Sequence, residues 1–209
     1  ITGKAYRFEG NGKMTVDNKG LLNNATDEAT IEAWVKPESD GVIVKKPGMY
    51  TLEYKNDKFA FTVGSQTVTT TDNISKYTES AAFVHIAAVA ARDKIYLYVN
   101  DTIQAALART GVVTADSVAV EIGENFKGAI DEVRLWSVAR DSINVARDYS
   151  RYLVGNETGL EAYYTFDYSV DDQFFDISYV GTEYHKNHGT VTGAAITETD
   201  VPTTSQMGY

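Results

Sequence analysis

The chain has 209 residues, no cysteine and a formal net charge of −10. This length accommodates one β-sandwich domain, and the acidic balance argues against nucleic acid and anionic membranes as partners. The absence of cysteine excludes disulfides and thiolate metal sites, and no apolar run is long enough to insert into a bilayer as a helix.

Most of the chain alternates between apolar and polar residues with a period of two, which is typical of half-buried β-strands. The alternating segments, in chain order, are 31–35, 50–54, 59–63, 95–99, 118–122 and 160–166. The sequence Lys-Asn-Asp-Lys at 55–58 is typical of a hairpin turn between the second and third of them. Short strands at this spacing predict an all-β sandwich or barrel.

One segment departs from this alternation. The ten residues that begin at Asp141 have helical spacing, and one side is formed by Ile143, Ala146, Ser150 and Leu153. Asp141 is the predicted N-cap, because an aspartate side chain accepts hydrogen bonds from the free amides of a first helical turn. We expect one short helix, packed against the rim of the sandwich.

The sequence contains no internal repeat and no clear linker before about Tyr168. We therefore expect a single domain over residues 1–209. The tail from Ser169 is polar and rich in Gly, Asp and Thr. Two outcomes stay open for the tail, which either wraps the sandwich or leads away as a connector.

The segment 126–136 places a carboxylate in an unexpected position. If it is a regular strand after a turn at Gly128, Asp131 shares a face with Val133 and Leu135. A carboxylate in phase with core aliphatic residues is costly unless another group neutralises it. We therefore expect Asp131 to be held by a specific partner.

Several motifs in order resemble the laminin-G-like branch of the concanavalin A-like lectin and glucanase domains. They are YRFEG (6–10), ATIEAWVKP (29–37), FVHIA (83–87), LYVND (97–101), GAIDEVRLW (128–136), GLEAYYTFD (159–167) and KNHGT (186–190). Phe83 replaces the Trp of the family pattern, and Asp101 replaces its turn Gly. The resemblance implies an antiparallel jelly roll of two stacked sheets, and a binding module more than an enzyme.

The resemblance also implies a structural Ca²⁺, since many relatives hold one between the opening strand and the IDEVR strand. Carried onto this chain, the ligands are Glu9, Asn11 and Asp131, which supply the oxygen atoms that Ca²⁺ prefers. Lys13 departs from the family pattern, and we expect its ammonium group either to oppose a cation there or to take its place. The alternative is that Asp131 pairs only with backbone amides or with Arg134.

Four aromatic residues are candidate ligand-binding residues. Trp34 and Trp136 offer flat faces for a sugar ring, but their places in framework motifs favour burial. Tyr96 and Tyr98 lie side by side if Leu97 faces the core, either as a binding surface or as an ordinary pair on the sheet.

Other polar residues favour structural roles. His185 and His188 are interpreted as turn residues that contact backbone rather than as a metal site. The carboxylates of Asp171, Asp172 and Asp176 are interpreted as a solvated loop.

Catalysis has little support in the sequence. Glycanases of this fold use an ExDxE-type strand, whereas Glu121 and Glu124 have the wrong spacing. The resemblance therefore predicts a non-catalytic, carbohydrate-binding module of a secreted or cell-surface bacterial protein. The alternatives are a protein-interaction or adhesion module, and a glycoside hydrolase or an accessory domain of one.

Overall fold

The computed structural model describes residues 3–17, 20–23, 27–78, 82–114, 117–193 and 195–198, without the side chains of the last range. Strands are numbered along the chain. They are β1 (Ala5–Glu9), β2 (Lys13–Val16), β3 (Ala29–Ser39), β4 (Gly41–Lys46), β5 (Tyr50–Lys55), β6 (Lys58–Val63), β7 (Gln66–Thr69), β8 (Val84–Ala90), β9 (Lys94–Val99), β10 (Thr102–Ala108), β11 (Val120–Ile122), β12 (Lys127–Trp136), β13 (Leu160–Tyr164), β14 (Ser169–Val170), β15 (Gln173–Phe174), β16 (Tyr179–Val180), β17 (Glu183–Tyr184), β18 (Gly189–Thr192) and β19 (Ala195–Glu198). The helices are α1 (Ser75–Thr78) and α2 (Ser142–Asp148).

These strands form two large sheets. The first has the order β10-β9-β8-β3-β12-β1-β19, with β13 also paired to β12. The second has the order β14-β15-β18-β2-β11-β4-β5-β6-β7, and β16 pairs with β17 in a separate hairpin. Every strand pair in the described residues is antiparallel. The predicted antiparallel β-sandwich is confirmed.

The core lies between the two large sheets. Ile31 and Val35 of β3 belong to the same buried cluster as Leu52 of β5 and Phe61 of β6. Each of these side chains is fully buried, which contributes about 1.5–3 kcal/mol per residue. The alternation seen in the sequence therefore corresponds to one face of each strand turned towards the opposite sheet.

Helix α2 lies at the predicted place in the chain, but it packs on the outer face of the first sheet rather than at the rim, and its buried face differs from the predicted one. Asp141 is the N-cap, and its Oδ1 accepts a hydrogen bond from the Asn144 amide at 2.7 Å. Ile143 is 76% exposed, whereas Val145 and Asp148 are buried. The face predicted from Ile143 is therefore wrong, because Asp148 is drawn inward by arginine side chains described below.

The one-turn helix α1 was not expected from the sequence. Its first residue, Ser75, donates its backbone amide to Asp57 Oδ1 at 2.8 Å. A helix of four residues is too short to show a hydrophobic period in the sequence. The hydrogen bond to Asp57 holds its first turn in place. Neither described helix has the length and apolar character that crossing a bilayer requires.

A β-bulge in β12 corrects the predicted position of Asp131. Asp131 pairs with Trp34 of β3, but the next pair in the register is Arg134 with Glu32. Three steps on β12 therefore match two steps on β3, which is the signature of one extra residue. Glu132 lies at this point with a φ of +52°, a left-handed conformation that is uncommon for glutamate.

The bulge exchanges the two faces of β12. Ile130 before it and Val133 and Leu135 after it all belong to the core between the sheets. Asp131 is paired with Trp34, which packs on the outer side of the first sheet. The prediction that Asp131 shares a face with Val133 and Leu135 is therefore wrong.

The tail after Ser169 is built into the sandwich. Strand β18 pairs with β2, β15 pairs with β18, and β14 pairs with β15, so these three strands extend the second sheet. Strand β19 pairs with β1 at the edge of the first sheet. In the described residues, the tail therefore contributes strands to both sheets.

We predict that Gly128→Ala lowers the free energy of unfolding by more than about 2 kcal/mol. Gly128 has a φ of +140°, and an added Cβ would lie 2.3 Å from the backbone oxygen of Lys36. The matched control is Gly10→Ala, since Gly10 has a φ of +85° but an added Cβ there would meet no atom within 4 Å. Urea denaturation measures both variants. Equal losses would contradict a close contact at Gly128.

Candidate functional site

Five charged side chains are buried on the outer side of the first sheet, and we call them the charged cluster. They are Glu32 from β3, Glu132 and Arg134 from β12, Arg140 just before α2, and Asp148 from α2. Each is at most 6% exposed. Buried charges of this kind require mutual pairing.

The arginines of the charged cluster join the sheet to α2. Arg140 Nη1 donates to Glu32 Oε1 at 2.9 Å, and its Nη2 donates to Asp148. Arg134 Nη2 donates to Glu132 Oε2 at 2.8 Å, and its Nη1 donates to the backbone oxygen of Asp148 at 2.8 Å. These charge-assisted bonds fix the position of α2 on the sheet.

The electrostatics differ between the carboxyl groups. Burial raises the pKa of Glu132, and the charge of Arg134 offsets only part of that rise. Burial would also raise the pKa of Asp148, but hydrogen bonds from Arg147, Arg140 and Arg151 outweigh it and hold that pKa well below its usual range. Asp148 is therefore ionised at neutral pH, and the cluster acts as an anchor.

Both tryptophans lie under this anchored segment. Trp34 is 1% exposed, and its Nε1 donates to the backbone oxygen of Tyr149 at 3.0 Å. Trp136 is also 1% exposed, and the guanidinium of Arg140 lies 4.0 Å from the centre of its ring. Neither indole face is open to a sugar ring, so Trp34 and Trp136 are packing residues rather than sugar-stacking residues.

Tyr96 and Tyr98 are neighbours on the outer side of the first sheet, with ring centres 6.2 Å apart. Tyr98 is buried in a cluster with Val145 of α2, and Tyr96 packs against that cluster. The pair therefore supports the helix and does not form an open platform.

The predicted calcium ligands are not brought together. Glu9 pairs with Lys127 in the register of β1 and β12, four residues from Asp131. That distance is roughly 13 Å along the strands, which is too far for one Ca²⁺ with ligands at about 2.3–2.6 Å. Asn11 follows the end of β1, further from Asp131, and lines a cleft together with Glu124. The proposed ligand set does not fit the ion.

Asp131 instead pairs with a backbone amide, which was the alternative to calcium binding. Its Oδ1 accepts the backbone amide of Glu132 at 2.8 Å. Burial raises the pKa of Asp131 well above its usual range, and the neighbouring charge of Glu132 adds to this effect. In the described part of the chain, no group of three His, Cys, Asp or Glu residues is placed to hold a metal ion. Calcium binding stays a prediction from the resemblance.

The polar residues of the C-terminal segment close its turns. His185 Nδ1 lies 3.0 Å from the backbone oxygen of Glu161, and His188 Nδ1 accepts the backbone amide of Asp176 at 3.2 Å. Asp176 is not part of a solvated loop, because it is buried and accepts the amides of Tyr163 and Asn187, among others. Asp171 and Asp172 are exposed in the turn between β14 and β15.

A row of aromatic and apolar side chains lies on the solvent side of the same segment. From Phe174 to Tyr179 the residues alternate between buried and partly exposed. Phe174, Asp176 and Ser178 point inward, so Phe175, Ile177 and Tyr179 share the outer side. With their cross-strand neighbours Tyr168 and Tyr184, we call Phe175, Ile177 and Tyr179 the aromatic strip.

The aromatic strip contains two ring pairs. Tyr168 stacks on Phe175 with ring centres 5.9 Å apart, and Tyr179 lies 5.5 Å from Tyr184. Tyr168 is 68% exposed and Tyr184 is 59% exposed. A cleft of about 320 Å³ lies at the first pair and is also lined by Ile177, Thr165 and Phe166. Flat, partly hydrated rings of this kind are suited to contact an amphipathic ligand.

A second, polar cleft of about 230 Å³ is lined by Gly20, Leu21, Glu161, His185 and Asn187. Its polar groups already hold the fold together. Glu161 Oε2 accepts the Leu22 amide at 2.8 Å, and the Asn187 side chain donates to the backbone oxygen of Glu161 at 2.7 Å. The aromatic strip is therefore the stronger candidate site.

Comparison with known proteins identifies the fold family. A family model described as "Concanavalin A-like lectin/glucanases superfamily" matches residues 8–146, more than half of the chain. No curated protein matches this chain.

Solved structures share the fold at low identity. A candidate carbohydrate-binding protein from Bacteroides ovatus is 21% identical, with a TM-score of 0.73 over 96% of this chain and 61% of its own. The SAP-like pentraxin from Limulus polyphemus is 13% identical, with a TM-score of 0.59 over 94% of this chain and 95% of its own. The receptor-binding domain of botulinum neurotoxin C/D mosaic serotype is 12% identical, with a TM-score of 0.58 over 86% of this chain and 54% of its own. The chain thus spans less than two thirds of the first and third of these proteins.

We predict that Arg140→Ala lowers the free energy of unfolding by about 3–5 kcal/mol, because it leaves Glu32 buried without this partner. Arg147→Ala is the matched control. Both arginines pair with Asp148, but the Arg147 side chain is 51% exposed and that of Arg140 is 4% exposed. The control should lose about 1 kcal/mol or less. Chemical denaturation tests this, and similar losses in the two variants would contradict the anchoring role.

Proposed function

The chain belongs to the concanavalin A-like lectin/glucanases superfamily, and from that premise we propose that it is a non-catalytic, carbohydrate-binding module. Its ligand contacts the aromatic strip. The observation that carries this proposal is the pair of exposed rings, Tyr168 and Tyr184, each backed by a second ring. A sugar ring has an apolar C–H face and a polar rim, which suits an aromatic ring whose own polar group stays in water.

The descriptions of two similar structures support a binding role. One is the candidate carbohydrate-binding protein from Bacteroides ovatus, and the other is the receptor-binding domain of a botulinum neurotoxin. We also propose, from the family resemblance, that the protein is secreted or lies at the cell surface.

The carboxylates of the molecule support binding rather than hydrolysis. Glycoside hydrolysis uses two carboxyl groups that flank the scissile bond across an open site. Glu121 and Glu124 are instead paired with Lys13 and Lys45 on the second sheet. The cleft at the aromatic strip is lined by Thr165, Phe166, Tyr168, Phe175 and Ile177, without a carboxylate.

A protein-interaction module is the second candidate. Strand β10 lies at the edge of the first sheet, carries no charged residue, and exposes Ile103 and Leu107. Such an edge is able to pair with a strand of another protein. Two of its carbonyl groups are already occupied, since Gln66 donates to Ala108 and Thr71 donates to Gln104. This makes the edge the weaker candidate.

We predict that Tyr168→Ala and Tyr184→Ala each weaken glycan binding by about 3- to 10-fold, the value of one lost aromatic contact. A glycan array identifies the ligand, and calorimetry then measures the affinity of each variant. Tyr96→Ala is the control, because Tyr96 packs near α2 away from the aromatic strip.

Three results would count against this proposal. An array that stays silent while the protein remains folded favours the protein-interaction candidate. Loss of binding in Tyr96→Ala but not in the strip variants moves the site to the first sheet. Release of reducing sugar from a polysaccharide, abolished by one carboxylate substitution, makes the protein an enzyme.

A further inference from the structure

The two ring pairs of the aromatic strip are separate points on one surface. Phe175 and Tyr179 are four residues apart in a segment whose burial alternates with a period of two. An extended backbone of this length spans roughly 13 Å. A single sugar ring is shorter than this distance, so it cannot contact both pairs.

The residue between the two pairs is apolar. Ile177 lies between Phe175 and Tyr179, is partly buried against the cluster that contains Trp136 and Tyr163, and lines the same cleft as Phe175. The charged residue of this stretch, Asp176, points inward and is 2% exposed. A ligand that follows the strip therefore meets no charged side chain from residues 175–179.

Both ends of the strip are exposed in the described part of the chain. Tyr168 and Tyr184 are its most exposed members; Tyr168 directly precedes β14, and Tyr184 lies in the β16–β17 hairpin. A chain molecule is thus able to extend past either pair.

The charges around the strip are mainly negative. Asp171 and Asp172 are exposed in the first hairpin turn, and Glu183 is exposed in the second hairpin. Lys186 is a cation nearby in sequence, and the whole chain has a net charge of −10. Like charges repel, so this surface disfavours a sulfated or uronic acid polymer.

We propose that the aromatic strip binds internal residues of a neutral polysaccharide chain, with one sugar ring over each ring pair. This inference rests on the proposed carbohydrate-binding function. Two weak contacts joined by one chain reinforce each other, because the second contact forms at a high effective concentration once the first has formed. Affinity then depends on chain length and not only on the identity of one sugar.

The test uses the folded protein and neutral oligosaccharides of cellulose, xylan, mannan and β-1,3-glucan, from disaccharide to hexasaccharide. Calorimetry should show an affinity that rises by about 3- to 10-fold as the chain becomes long enough to reach both pairs, and then levels off. Polygalacturonate, an anionic chain, should bind more weakly than the best neutral chain at low salt.

Variants show whether both pairs are used. Tyr168→Ala and Tyr184→Ala should each remove the gain with chain length, so that the hexasaccharide binds about as weakly as the disaccharide. Val180→Ala is the matched control, since Val180 is 68% exposed in the same hairpin as Tyr184 but is not part of the aromatic strip. It should keep the gain. Melting temperatures confirm that each variant is folded.

The outcomes separate this inference from the proposed function. An affinity that does not change with chain length overturns the inference and leaves carbohydrate binding intact. The same holds if the array detects only terminal sugars, or if polygalacturonate binds as well as the neutral chains. Silence of every glycan on the array overturns both.

Discussion

The ion pairs between the first sheet and α2 are the constraint on which the outer surface depends. Arg140 bonds to Glu32 and Asp148, and Arg134 bonds to Glu132 and to the backbone of Asp148. Desolvating these charges is costly, so the arrangement is stable only when every partner is in place. This explains why α2 buries an aspartate and leaves an isoleucine in water.

The charged cluster also supports the aromatic strip. The hydroxyl group of Tyr163 donates to Glu132, and the backbone oxygen of Tyr163 accepts the amide of Ile177 at 3.0 Å. The amide of Tyr179 donates to the oxygen of Gly155 at 2.8 Å, in the segment that follows α2. The strip therefore lies on backbone held by buried bonds. A platform held in this way loses little conformational entropy when a ligand binds.

The features that could be predicted from the sequence depend on neighbouring residues in the chain. Alternation predicted the strands, and the turn at Asn56 and Asp57 forms with φ of 52° and 59°, as its residues favour. The bulge at Glu132 could not be predicted, because its left-handed conformation depends on contacts from other strands. The aromatic strip was missed for a related reason. Around Asp176 the usual pattern is inverted, with polar residues buried by hydrogen bonds and aromatic residues outside.

Amide chemical-shift mapping by NMR, during titration with an oligosaccharide that binds, locates the surface that meets the glycan. If this surface is the aromatic strip, the largest shifts occur at Tyr168, Phe175, Tyr179 and Tyr184. Shifts confined to the outer side of the first sheet near Tyr96, with none in the strip, would contradict the proposed site.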